Sequence, residues 1–143
     1  MREHMGLYRG KRTDNGEWVQ GYLGRDTIIG GGRTGLAYVI RTVPKKLFDG
    51  SWFEIDPDTV GECTGLTDKN GRLIFEGDIV ESWNRRVLKV KFGPHWDEES
   101  EWDTYGWYAC DEEGALNLGV DWNGHRIIGN IHDNPELLGG GDN

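Results

Sequence analysis

A chain of 143 residues with a formal charge of −9 and only two cysteines has the length of one ordinary domain, enough to bury about two thirds of its unfolded surface without staples. Cys63 and Cys110 have neither the density of a disulfide scaffold nor the Cys-x-x-Cys spacing of a metal or redox site, so both are read as reduced and structural. No apolar run approaches the roughly 20 residues of a membrane-spanning helix, and Met1-Arg2-Glu3-His4-Met5 lacks the apolar segment of a secretion signal, which predicts a cytoplasmic protein with no membrane partner.

The 23 glycines, seven tryptophans and five tyrosines suit an all-β domain of many turns, in which large rings fill a thin core. Charge is distributed unevenly. Residues 1 to 46 hold nine Lys or Arg against four Asp or Glu, residues 83 to 92 hold four cations and no acid, and residues 93 to 143 hold one Arg against twelve acids. That asymmetry fits either intramolecular complementarity or a head-to-tail contact between subunits.

In chain order, residues 5 to 12 and 17 to 23 flank Thr13-Asp14-Asn15-Gly16 and predict an opening hairpin, with Trp18, Gln20 and Tyr22 on one face. Arg9, Lys11, Arg25 and Arg33 make this region basic. Such a face can in principle stack on and neutralise a nucleic-acid strand; the alternative, favoured by the total charge, is a solvated face paired with the chain's own acids. A second hairpin is expected between residues 26 to 29 and 36 to 41. Its tip, Gly30-Gly31-Gly32-Arg33-Thr34-Gly35, lacks the ending and the following helix of a phosphate loop. Residues 45 to 50 read as a turn-rich connector. Ser51 to Ile55 alternates as a half-buried strand, and Asp56-Pro57 is the cap and first residue of a single helical turn.

Residues 60 to 83 carry the densest turn chemistry. Asn70-Gly71 predicts a tight hairpin with positive φ at both positions, and Glu76-Gly77-Asp78 a second turn into a new strand. Residues 79 to 83 and 87 to 92, joined by Asn84-Arg85-Arg86, show the clearest period-2 pattern in the chain. Residues 93 to 104, with Trp96 and Trp102, are expected to be an acidic insertion loop; its His95 and carboxylates lack the spacing of a cation site, so no metal is expected. Tyr105 to Cys110 reads as a buried strand. Another turn falls at Asn123-Gly124, a last strand at 126 to 131, and a helical turn at 135 to 138 with Asn134 as N-cap and Pro135 as first residue. Residues 139 to 143 read as a flexible tail.

Thr64-Gly65-Leu66, Asp68-Lys69-Asn70-Gly71 and residues 75 to 80 resemble the signature core of the YopX family of phage and prophage proteins. Residues 10 to 22 are similar to that family's opening, and 127 to 138, with Gly129, Asn130 and Pro135, to its closing segment; residues 93 to 125 match none of its pattern. The resemblance implies one domain over residues 1 to 143, a partly open SH3-like barrel, a phage or prophage origin, and no catalytic residues to carry over.

His4, His95, His125 and His132 are each isolated in sequence, and Glu76 and Asp78 sit where a turn needs amide acceptors, so nothing has the spacing of an active site. The expected function is a non-catalytic module that binds a macromolecule as a homo-oligomer, with no cofactor, and with Trp96, Trp102, Trp18 and Tyr22 as candidate contacts. The alternative is a nucleic-acid-binding protein that uses the basic N-terminal half. Gly71, Gly77 and Asp78 are expected to serve folding, not chemistry.

Overall fold

The described residues are mostly strand, with only short 3₁₀ turns besides. The computed structural model describes residues 6–30, 33–42, 51–97, 101–117 and 124–138. The all-β class predicted from the turn pattern is what forms, including a sheet curled into a half-barrel. The connector at 45 to 50, the glycine tip at 31 to 32, residues 121 to 123 and the tail from 139 lie outside the described residues. The chain divides after Cys63 into two compact units.

In the first unit, β1 (Leu7–Lys11), β2 (Trp18–Gly30), β3 (Arg33–Thr42) and β4 (Trp52–Glu54) form an antiparallel meander, and the start of β5 (Gly61–Thr67) pairs with the other edge of β1. The two predicted hairpins share the single long strand β2. Leu7 lies opposite Tyr22 and Lys11 opposite Trp18, so alternation turns Tyr8 and Gly10 to the other face. There Gly10 makes room for the core: a Cβ on it would stand 2.9 Å from Cδ1 of Ile55 and 3.4 Å from that of Ile40. The predicted cap forms as expected, Asp56 accepting from the amide of Asp58 at 3.0 Å. Thr59, buried in the 3₁₀ turn Pro57–Thr59, accepts from the Lys11 amide at 2.9 Å and ties the turn to β1.

The second unit holds β6 (Leu73–Phe75), β7 (Asp78–Glu81), β8 (Val87–Asp97), β9 (Trp102–Asp111), β10 (Gly114–Asn117), β11 (Arg126–Asn130) and a 3₁₀ turn, Pro135–Leu137. Five of these strands make one sheet in the order β10-β9-β8-β7-β11. Register puts Ile127 opposite Val80, Val80 opposite Leu88 and Val90 opposite Ala109. With Ile74 these are the buried core, and Trp107 packs against it.

Asp68 staples the start of this unit to its end. Its Oδ1 accepts from the amides of Asn70 and Arg72, and its Oδ2 from that of Ile127, each at 2.9 Å. Burial works to raise the pKa of this carboxyl, but the three amides and the Arg72 charge outweigh it and hold it below the usual carboxylate value. The same hydrogen bonds correct the turn expected here. Only Gly71 takes positive φ, +82°, because the side chain of Asp68 captures the Asn70 amide. Asp68 N donates to Arg72 O and Gly71 N to Asp68 O, a longer loop closed by a glycine bulge in place of a two-residue I′ turn.

Residues 93 to 97 and 102 to 104, expected within an insertion loop, are paired strand. The ladder of β8 and β9 runs on through Gly93↔Gly106, Pro94↔Tyr105 and Trp96↔Asp103 to Asp97↔Trp102. Composition suggested a loop because five of the twelve residues from 93 to 104 are acids; cross-strand pairing overrides that local signal. The hairpin is sharply curled. In a flat ladder His95 and Tyr108 would stand four residue steps apart, about 13 Å, yet their rings stack with centroids at 4.1 Å. A parallel bridge from Asp97 to Ala115 of β10 marks the same fold-back. The bend falls at the glycine pair, with φ of +144° at Gly93 and +151° at Gly106, a region open essentially to glycine alone.

Two further expectations need correcting. Tyr105 to Cys110 is not a buried strand: Ala109 is buried but Tyr105 is 71% exposed, because this end of β9 runs beyond the core. Asn134 makes no side-chain cap. Its Oδ1 accepts from the Asn130 amide at 3.2 Å instead, drawn there by the bare backbone of Gly129, where a Cβ would lie 2.6 Å from that oxygen.

Candidate functional site

On β8 the alternation that buries Leu88 and Val90 continues through Phe92, Pro94 and Trp96, and on β9 it continues from Ala109 through Trp107 to Tyr105. Past the core these side chains are only partly covered by the described residues. Phe92 meets Trp107 edge-on at 4.8 Å and Tyr105 at 5.3 Å, so the rings form a ladder on the convex side of the curl. Phe92 and Trp96 are about half exposed and Tyr105 more so. Aromatic side chains bury some 150 to 250 Å² each when covered, and at about 25 cal/mol per Å² the exposed part of each ring leaves on the order of 2 to 4 kcal/mol of gross burial unrealised. Acids surround the ladder, with Asp103 opposite Trp96 and Glu101 in the turn.

Trp96 and Trp102, both candidate contacts from the sequence, do not share a face. Trp102 is 71% exposed but lies next to Asp103, the partner of Trp96, and alternation turns the two indoles to opposite faces. Sequence reasoning missed Phe92 and Tyr105. The signal for Phe92 was the unbroken alternation of residues 87 to 96.

Trp18 and Tyr22 share a face of the first unit, as predicted, but its cations are largely engaged. The Arg9 guanidinium stands 4.8 Å from the Trp18 ring and the Lys11 ammonium 5.5 Å; Arg12 lies over Phe53 and Arg25 over Tyr38. Arg12 also forks Asp14, and Arg41 pairs with Asp26. Tyr22 remains half exposed.

The signature residues are structural parts. The hydroxyl of Thr64 donates to Ile74 O and accepts from the amide of Leu66, across Gly65 at a φ of +82°. Asp78, buried, accepts from the Phe75 amide at 2.7 Å, while Glu76 is exposed at the turn. Gly77 links β8 and β11 by donating to Val90 O and accepting from Ile131 N. Asn130 accepts from the amides of His132 and Asp133, and Pro135 opens the last turn. No three of the described His, Cys, Asp and Glu residues are grouped to hold a metal ion.

This is an all-β domain whose exposed chemistry is aromatic rings on a projecting hairpin. The family model described as YopX protein matches residues 7–139, so the chain belongs to the YopX family. No curated protein matches it.

Proposed function

We propose that this YopX domain is a non-catalytic binding module that works as a homo-oligomer, the convex aromatic face of the β8–β9 hairpin docking on a second copy of the chain. The observation that carries this reading is the ladder of Phe92, Tyr105 and Trp96, exposed at 46, 71 and 54%. Contiguous apolar surface rimmed by polar groups is the mark of an interaction site. Charge supports a second copy as the occupant: the acids around the ladder complement the excess of cations in residues 1 to 46, which suits a head-to-tail contact that closes into a ring where the rotation allows. The assembled form binds a further protein in the cytoplasm of a phage-infected or lysogenic bacterium. The buried turn-capping role of Asp78 and the stacking of His95 support the absence of catalysis. The nucleic-acid reading of the basic half is weakened by the net charge of −9.

Light scattering after size exclusion tests the proposal. The wild type should elute as a multimer, and Trp96→Ala with Tyr105→Ser should reduce it to a monomer with unchanged far-ultraviolet circular dichroism. A wild type that stays monomeric at all micromolar concentrations and low salt overturns it.

A further inference from the structure

Two turns in the second unit are built alike. In one, Asp68 N donates to Arg72 O and Gly71 N to Asp68 O; in the other, Ser82 N donates to Arg86 O and Arg85 N to Ser82 O. The residue that closes the first is Gly71, with φ +82°, and the residue in the same place in the second is Arg85, with φ +69°. A left-handed conformation is free for glycine and strained for arginine. Strain of this kind clusters at active sites, ligand clamps and switch regions.

Both turns border one cleft. The Lys69 amide donates to His125 O at 2.9 Å, which fixes the first turn beside the start of β11. Arg126, the first residue of β11, lies opposite Glu81 and holds its Oε1 through Nε at 3.0 Å and Nη2 at 2.8 Å. Lys69, Arg85, Arg126, Glu81, Ser82, Trp83 and Gly124 line a cavity of about 320 Å³. Three cations thus meet one carboxylate, already bound by Arg126, in a chain whose net charge is −9. Lys69 and Arg85 make no ion pair among the described residues. Trp83 is 83% exposed, more than any other exposed large hydrophobic side chain described.

We propose that this cleft binds a nucleotide unit, with Lys69 and Arg85 on its phosphate and its base stacked on Trp83. An open indole beside unengaged cations is the combination that holds a base and its backbone without reading sequence. The volume lies at the small end of ligand cavities, which start near 300 Å³, and suits one nucleotide. The Glu81 and Arg126 pair keeps the third cation in place and leaves the other two for the ligand. This site is independent of the aromatic hairpin and of the basic N-terminal face.

Fluorescence anisotropy of a short labelled oligothymidylate with the full chain tests the assignment. Arg85→Gly, Lys69→Ala and Trp83→Ala should each weaken binding, the two charge removals by about ten- to a hundredfold. Arg85→Gly should at the same time raise the melting temperature, which separates a lost contact from a damaged fold, and Arg9→Ala in the first unit should bind like wild type. Affinity should fall with salt at a log–log slope of about −0.7, for one phosphate on a single strand. Competition by unlabelled thymidine monophosphate as strong as that by the oligonucleotide identifies a free nucleotide as the ligand, and stronger competition by the oligonucleotide identifies a single strand. The proposal is overturned if no binding occurs at low salt, if Arg85→Gly and Lys69→Ala bind like wild type, or if inorganic phosphate displaces the probe as well as the mononucleotide does.

Discussion

His95 lies nearly flat against Tyr108, ring centroids 4.1 Å apart and planes at 22°, although the strand ladder places the two residues four steps apart. The contact exists only because the β8–β9 hairpin folds back at Gly93 and Gly106. Nothing lies within 4 Å of a Cβ added at either position, so the demand for glycine comes from the backbone and not from crowding. Gly93→Ala and Gly106→Ala should therefore each cost about 1 to 3 kcal/mol, measured by urea unfolding. The His95 ring protons should lose the ring-current shift that Tyr108 imposes. Retention of that shift at full stability would show that the curl does not depend on these glycines.

Asp68 joins the early hairpin to β11 through an ionised carboxylate. Its folded pKa is lowered, so the unfolded chain binds more protons in acid. The stabilisation is complete above the unfolded value near 3.9 and is lost as the pH falls through the folded value. Asp68→Asn should cost about 2 to 3 kcal/mol at pH 7, the range for hydrogen bonds to a charged group. The difference from wild type should shrink below about pH 4. Urea titrations at several pH values would show it, and a pH-independent difference would rule out the charge as its source.

His125, only 8% exposed, has its pKa lowered by burial. A histidine buried neutral must take up a proton on unfolding once the pH drops below its unfolded value near 6.5. Stability from this group is complete above that value and declines as the pH falls toward the folded one. His125→Phe should flatten the stability profile just below pH 6.5, where Asp68 does not titrate. An unchanged slope in that window would remove His125 as its cause.

Gly71 and Arg85 allow a reciprocal test of the same backbone geometry. Gly71→Ala should destabilise by about 1 kcal/mol and Arg85→Gly should stabilise by about as much, since left-handed φ costs a residue with a Cβ roughly 1 to 2 kcal/mol. Calorimetric melting of both variants should move in opposite directions. Movement in the same direction would mean that side-chain contacts, not φ, decide the stability of these turns.

What could be read from the residues alone was the local chemistry. Asp56 capping Asp58, glycine closing the turns at Gly16 and Gly71, and the alternation of residues 87 to 92 all involve partners within a few positions, and each appears as expected. The four cations of residues 83 to 92 were also visible, but not that Arg85 would face Lys69 and Arg126, since strand pairing brings those three together from distant parts of the sequence. Local chemistry misled where side chains competed. Asp68 took the Asn70 amide and replaced the I′ turn, and Gly129 drew Asn134 away from its cap. The acidic, glycine-bearing stretch from 93 read as a loop because its opposing glycine, Gly106, lies thirteen residues further on and is its partner only in the folded ladder. Which rings are covered was likewise a tertiary matter: Trp107 and Tyr105 stand two residues apart on one face, and the edge of the core falls between them. Short-range hydrogen bonding and alternation are properties of neighbouring residues, whereas burial, curvature and the meeting of charges depend on the three-dimensional path of the whole chain.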